Sequence, residues 1–326
     1  VAAAWIAAFS GDVAGTNRFA TAARRSSYDG PMPDGSASYE SAVAILCAGL
    51  GQDGMRDANE HAEVGYALEP LDSPWRSLTA ALAGLTRFGL GRFDDGRVAL
   101  AEAAGYRAGL EGTAIYARGQ LALLEMAEGN WTEAARHADL AGAAIEELHV
   151  GDLLSSGAAQ VAAAAVAAHD GQDGLARQRL HTLSRVQASL SDAIPFDAFQ
   201  INLIAAETYL AIGDGRSAAV HANTASARLE AFGDAGIFEP RMAAVLEALA
   251  NRDAGGDQAA EQVEPLTDRE RQVLELLSTD LTLRDIGREL FVSRNTAKTH
   301  LASAYRKLGV TSRSAAIARA RELELI

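Results

Sequence analysis

Three stretches near the C-terminal end decide the fold class: LTDRERQVLELL at 266–277, DIGRELFVSRNTAKTHL at 285–301 and YRKLGV at 305–310. In the first, Thr267 stands three residues before Glu270, the spacing of a capping box in which the hydroxyl takes an amide of the first turn and the carboxylate reaches back. Val273, Leu274, Leu276 and Leu277 follow on one side, so a first helix is predicted to about Thr279. Thr282 and Asp285 repeat the device, and Ile286 and Leu290 give a short second helix one apolar face. Phe291 and Val292 make the turn. Ser293 caps a third helix from Arg294 to Leu308, Gly309 is its left-handed stop, and Ser312 caps a fourth that runs to about Leu323.

The third helix carries two opposed faces. Ala297, Leu301, Ala304, Tyr305 and Leu308 recur at helical spacing and form an inward stripe, while Asn295, Lys298, Thr299 and Ala302 lie opposite. That outer face has base-reading chemistry. Lysine donates to guanine O6 and N7, asparagine bonds adenine through two hydrogen bonds, and the threonine methyl meets the thymine methyl. Ala302 keeps the face short-sided. Thr282, Ser293, Arg294, Thr296, Arg306 and Lys307 are the candidates for phosphate, a contact that fixes register without reading sequence. His300 is read as a packed helix residue. The competing reading is a basic helix that is only solvated.

Taken together, the three motifs, in this order and at this spacing, resemble the LuxR-type helix-turn-helix family over Leu266 to Leu325. Ala297 stands where the family usually has valine, Asp280 where glycine is common and Gly287 where alanine is common. The resemblance implies a four-helix domain that binds double-stranded DNA, and a homodimer paired through the fourth helix, Arg313 to Leu323, on two half-sites. A single short recognition helix buries too little surface to find a site alone.

Charge supports that reading once it is divided along the chain. The 326 residues carry a net charge of -14, which as one number argues against a nucleic-acid partner. Residues 265–326 alone are net +3, leaving -17 for residues 1–264. Between 284 and 313 there are 7 basic residues against Asp285 and Glu289, so the positive charge is concentrated on one short segment.

Upstream, a glycine followed by polar residues and then small helix formers recurs at Gly11, Gly51, Gly91, Gly129, Gly171 and Gly213, with spacings of 40, 40, 38, 42 and 42. One glycine turn and two Ala- and Leu-rich stretches per period are the mark of stacked helical hairpins, here a solenoid of about six; the alternative is an irregular all-helical domain in which glycine punctuates by chance. Ala134, Ala176 and Ala218, each five residues after a turn glycine, allow the paired helices to approach closely. The stretch resembles the tetratricopeptide-like repeats of large maltose-regulator-like LuxR proteins in its turn motifs only. Ser26 to Ser38, with Pro31 and Pro33, reads as a long loop. A concave acidic surface is expected, with a protein or small-molecule effector docking on it.

The expected fold is therefore all-α, with a helical-repeat solenoid at 1–250, a mobile linker at 251–264 and the four-helix domain at 265–326. No cofactor and no catalytic or metal site is expected. Lys298 and Lys307 are the only lysines, so no phosphate-binding loop of the GxxxxGK[ST] kind exists, and the chain is expected neither to bind nor to hydrolyse ATP. Cys47 is the only cysteine and reads as packing. The apolar runs are too short to cross a membrane, and a cytoplasmic location is the expectation. The apolar, Met-less start at Val1 to Phe9 looks like the inside of a helix, as in a fragment of a longer protein. The function expected is transcription regulation; the alternative is a repeat scaffold whose small terminal domain serves protein contact.

Overall fold

The computed structural model describes residues 1–326 except 107–110, 188–191, 260–265, 278–280, 291, 293, 309, 311–312, 314–315, 318–319 and 321–326; inside helices it leaves out the side chains of 111, 184, 185, 187, 253–259, 268, 284, 294, 295, 306 and 308. Among the described residues there is no strand. The chain divides into two compact units, Val1–Ala250 and Asn251–Ile326.

Six antiparallel hairpins build the first unit: α1 (Ala2–Phe9) with α2 (Val13–Arg24), α3 (Tyr39–Leu50) with α4 (Met55–Leu68), α5 (Arg76–Gly89) with α6 (Phe93–Gly105), α7 (Glu111–Ala127) with α8 (Trp131–Leu148), α9 (Gly157–His169) with α10 (Asp173–Gln187), and α11 (Pro195–Ala211) with α12 (Gly215–Phe232). Then comes α13 (Phe238–Ala259). All six glycines read from the sequence as turns have positive φ, between 55° and 80°. Five of the turns share one hydrogen-bond pattern: the residue after the glycine donates to the carbonyl five residues back, as in Asp12 to Ala7, Arg92 to Arg87, Asn130 to Glu125, Gln172 to Ala167 and Asp214 to Tyr209. This is the glycine-dependent helix stop that satisfies the last carbonyls, and the next helix begins immediately after it. Gly51 instead donates to Cys47, four residues back, and α4 starts only after a second glycine, Gly54.

These turns make a clean test of backbone strain. A Cβ at Gly129 would meet nothing within 4 Å, so the only penalty is the left-handed conformation, φ 79°. Gly129→Ala is expected to destabilise the first unit by about 1 kcal/mol. Gly105→Ala, also in open space but at the end of α6, is expected to be neutral or mildly stabilising. Urea unfolding of both variants checks the pair.

Small residues close the hairpins. Thr16, Gly96, Ala134, Ala176 and Ala218, five residues beyond their turn glycines, are all buried. At Gly96 a Cβ would lie 3.0 Å from the Gly84 carbonyl oxygen, which marks the contact of α5 with α6 as backbone to backbone. Ion pairs also tie neighbouring elements: Arg87 and Arg92 hold Glu63, Arg76 holds Glu102, and Arg97 holds Glu125.

The expected open concave acidic surface is corrected by the way the array curls. Helix α11 is buried around almost its whole circumference, from Pro195 to Thr208, the behaviour of a helix that is apolar on all sides. It reaches past the fifth hairpin to the fourth. Tyr116 on α7 donates to Asp197 at 2.9 Å, and Gln120 and Gln200 exchange hydrogen bonds at 2.7 and 3.0 Å. Ala193 and Ile194 pack with Ala4, Leu46 and Leu50 of the first two hairpins. Residues 233–238 then return to the second and third: Met55 donates to Asp234 at 2.6 Å, Ile237 donates to Gly89 at 2.9 Å, and the Phe238 ring meets Phe88 edge-on at 5.3 Å. The inner side is thus largely filled by the chain itself.

The expected linker falls partly on described residues. Residues 251–259 continue α13 as helix, and 260–265 lie outside the described residues. In the second unit α14 (Asp268–Leu277), α15 (Leu283–Glu289) and α16 (Arg294–Leu308) surround a core of Leu266, Val273, Leu274, Leu277, Ile286, Leu301, Ala304 and Ala316. Of the expected fourth helix only Arg313, Ala316, Ile317 and Ala320 are described, each helical. Among the described residues no helix is long and apolar enough to cross a membrane.

Candidate nucleic-acid interface

The second unit is built from two capped helices and the one they present. Thr267 accepts from the Glu270 amide at 3.3 Å and its own amide donates to the Glu270 carboxylate at 2.8 Å, so the capping box forms in both directions. Thr282 caps α15 by accepting from the Asp285 amide. Val292 donates to the Gly287 carbonyl at 2.8 Å, which folds the chain out of α15 toward α16. The departure to glycine at 287 therefore falls at the carbonyl that closes this turn.

On α16 the two faces separate as their spacing requires. Ala297, Leu301 and Ala304 are buried and Tyr305 is partly so, while Thr296, Lys298, Thr299 and Ala302 are exposed. Lys298 and Thr299 thus share the outer face with short-sided Ala302. Asn295, Arg294 and Arg306 lie within α16, but their side chains, like Ser293 altogether, are outside the described residues. Thr282 is exposed at the start of α15, with its hydroxyl bonded to Asp285.

Lys307 departs from the expectation and is corrected. Its ammonium meets Glu270 at 2.9 Å, and the two side chains are only 5% and 6% exposed. A buried, paired ammonium is not presented to phosphate. Glu270 also accepts from Ser303 at 2.7 Å, so one carboxylate joins the cap of α14 to the inner side of α16. Burial pushes that carboxyl up, but the hydrogen bonds from Lys307, Ser303 and Thr267 outweigh it and hold the group down at about 2. The sequence held the signal. Nine residues after Lys298, Lys307 is turned half a circle to the side of Ala304, and its charge alone placed it with the DNA contacts. Arg313 was likewise missed as a structural residue; it donates to the carbonyls of Leu277 and Leu281 at 2.9 and 3.1 Å and pins the end of α14.

A small helical unit with a glycine-closed turn and an exposed, partly basic third helix is the geometry of a helix-turn-helix domain. The family described as bacterial regulatory proteins, luxR family, matches residues 264–320. Spore germination protein GerE of Bacillus subtilis (strain 168) is 49% identical over 63 residues, which are 18% of this chain and 85% of the relative's length. The chain belongs to the LuxR family. Its LuxR-type domain contains the Glu270–Ser303–Lys307 cluster and the exposed face of α16, and it is a DNA-binding domain of transcription regulators. The six hairpins lie ahead of the matched residues.

Proposed function

We propose that this chain regulates transcription by laying α16 in the major groove of double-stranded DNA as a homodimer, while the helical repeats take a protein or small-molecule effector. The carrying observation is the exposed face of Lys298, Thr299 and Ala302, set opposite the buried stripe of Ala297, Leu301 and Ala304. Asn295, Lys298 and Thr299 read bases; Thr282, Ser293, Arg294, Thr296 and Arg306 contact phosphate. The basic segment 284–313 supplies the electrostatic attraction that an acidic chain otherwise lacks. A cytoplasmic location and the absence of enzymatic activity belong to the same reading.

For the effector, support comes from a groove of about 440 Å³ in the first unit, lined by Met126, Trp131, Ala165, His169, Ile204 and Arg241 among others. The Trp131 ring stacks on His169 at 3.8 Å, giving one wall a flat aromatic surface.

The test is Lys298→Ala on a cognate duplex and on a scrambled one. Loss of about 1–3 kcal/mol on the cognate site, with the two affinities drawing together, is expected of a base-reading lysine. An equal loss on both duplexes would make Lys298 a phosphate contact. No loss on either would remove Lys298 from the contact, and a parent that prefers no duplex would favour the scaffold alternative, in which the terminal domain binds protein.

A further inference from the structure

The groove that α7, α9, α11 and α13 line in the first unit has the chemistry to choose among ligands. Met126, Ala165, Ala168, Ile204 and Ala211 give it small or apolar walls. The Trp131 and His169 rings lie 5° from parallel with centroids 3.8 Å apart, so a planar group can extend the stack. Glu207 and Arg241 bring opposite charges, and these are already spent on each other. Arg241 Nε and Nη2 donate to the two carboxylate oxygens at 2.9 and 2.5 Å, and the guanidinium lies over the Phe238 ring, 5.6 Å from its centroid. Nη1 is what remains. It has no hydrogen-bond partner among the described residues, so two N–H donors of a neutralised cation are left for whatever enters. The Thr208 hydroxyl adds no donor, because it is bonded to the Ile204 carbonyl at 2.7 Å.

We propose that this groove takes an uncharged, planar aromatic molecule bearing a carbonyl, whose ring layers on the Trp131–His169 stack and whose oxygen accepts from Arg241 Nη1. An anion would meet the Glu207 carboxylate that already holds the guanidinium, and a cation would meet Arg241 itself. A neutral acceptor meets neither repulsion. A carbonyl taken out of water needs a donor, and a guanidinium edge covered by a ligand needs an acceptor, so the two requirements answer each other. The volume of about 440 Å³ lies within the range of small-molecule sites. The inference names the ligand class of the effector groove and rests on the functional reading for its purpose; its test needs no DNA.

The chain has three tryptophans, so a correlation spectrum of the full chain shows three indole N–H peaks, and Trp131→Phe identifies the one that reports on the groove. The neutral probe 2-naphthamide is expected to shift that peak saturably with a Kd of about 1 mM or tighter, leaving the peaks of Trp5 and Trp75 in place. The anion 2-naphthoate and the cation 2-naphthylmethylammonium keep the ring and change the charge; each should bind at least about 10-fold more weakly. Glu207→Gln still accepts from Arg241 but leaves its charge uncompensated, and should reverse the order so that 2-naphthoate binds at least as tightly as the amide. Ala168→Leu, at a partly exposed position, should fill the slot and remove the shift. If that variant loses the helical circular-dichroism signal, the order of the three probes on the parent and on Glu207→Gln still decides. A parent that prefers the anion or the cation would overturn the proposal and leave the effector reading standing. A Trp131 peak moved by none of the three at about 1 mM would overturn it as well. Affinity for a cognate duplex is measured alongside; a parent that prefers no duplex but takes the amide would sink the functional reading and leave this one.

Discussion

Lys307→Ala is expected to destabilise the C-terminal unit by about 3 kcal/mol or more, because it leaves the Glu270 carboxylate buried without its cation. For a unit of this size the calorimetric transition should fall by more than about 10 °C. DNA affinity should then fall on every sequence together, as the folded fraction falls, and recover at low temperature. A phosphate-contacting lysine behaves differently: its loss flattens the salt dependence and leaves the melting temperature unchanged. The pair also sets a pH window. Glu270 titrates at about 2 in the folded unit, below the ordinary carboxylate value. Its stabilising contribution is therefore present above about pH 4.5 and is lost as the pH falls from there through about 2. Glu270→Gln should remove that acid-limb slope while keeping the capping box, and calorimetry between pH 2 and pH 7 reads it.

The opposite sign is expected at Asp197→Asn. Burial raises this carboxyl to about 6, and the Tyr116 hydroxyl that donates to it brings it only part of the way back. Because the folded value lies above the unfolded one, the folded unit gains from holding a proton below about pH 4 and loses that gain as the pH rises through 6. At pH 7 and above the ionised form costs the first unit about 2 kcal/mol, a figure reduced for the solvent access that Asp197 retains. Asparagine still accepts from Tyr116 and carries no charge. The variant should therefore be more stable than the parent at pH 7.5 and indistinguishable from it at pH 4. Urea midpoints at the two pH values are the measurement. A variant less stable at pH 7.5 would mean that the carboxylate charge stabilises the contact between α7 and α11.

Legibility of the sequence followed the range of the forces involved. The six turns were readable because each rests on local chemistry: a glycine in the left-handed region and, in five of them, one amide bonded five residues back. The capping box at Thr267 and the N-cap at Thr282 were readable for the same reason. The central position of α11 was not. Its even spread of apolar residues announces burial, but which hairpins would enclose it depends on the small rotation between successive repeats, summed over the array. Nor did composition distinguish the helical stretch 251–259 from a linker, since its polar residues have no apolar face to reveal it. In the DNA-binding domain, periodicity separated Lys298 from the core. Lys307 lies on the side of Ala304 by the same periodicity, and only its pairing with Glu270, 37 positions earlier, makes that side habitable for an ammonium.

Sequence-specific DNA reading is tested most directly by recovering the genomic fragments that the chain retains and measuring its affinity for a recovered site and for a scrambled duplex of the same composition, at several salt concentrations. The expected result is a preference for the recovered site of about 1,000-fold or more at physiological salt, with both affinities falling as salt rises. Equal affinity for the two duplexes at every salt concentration would show that the basic face of α16 is only a solvated surface and would contradict the account.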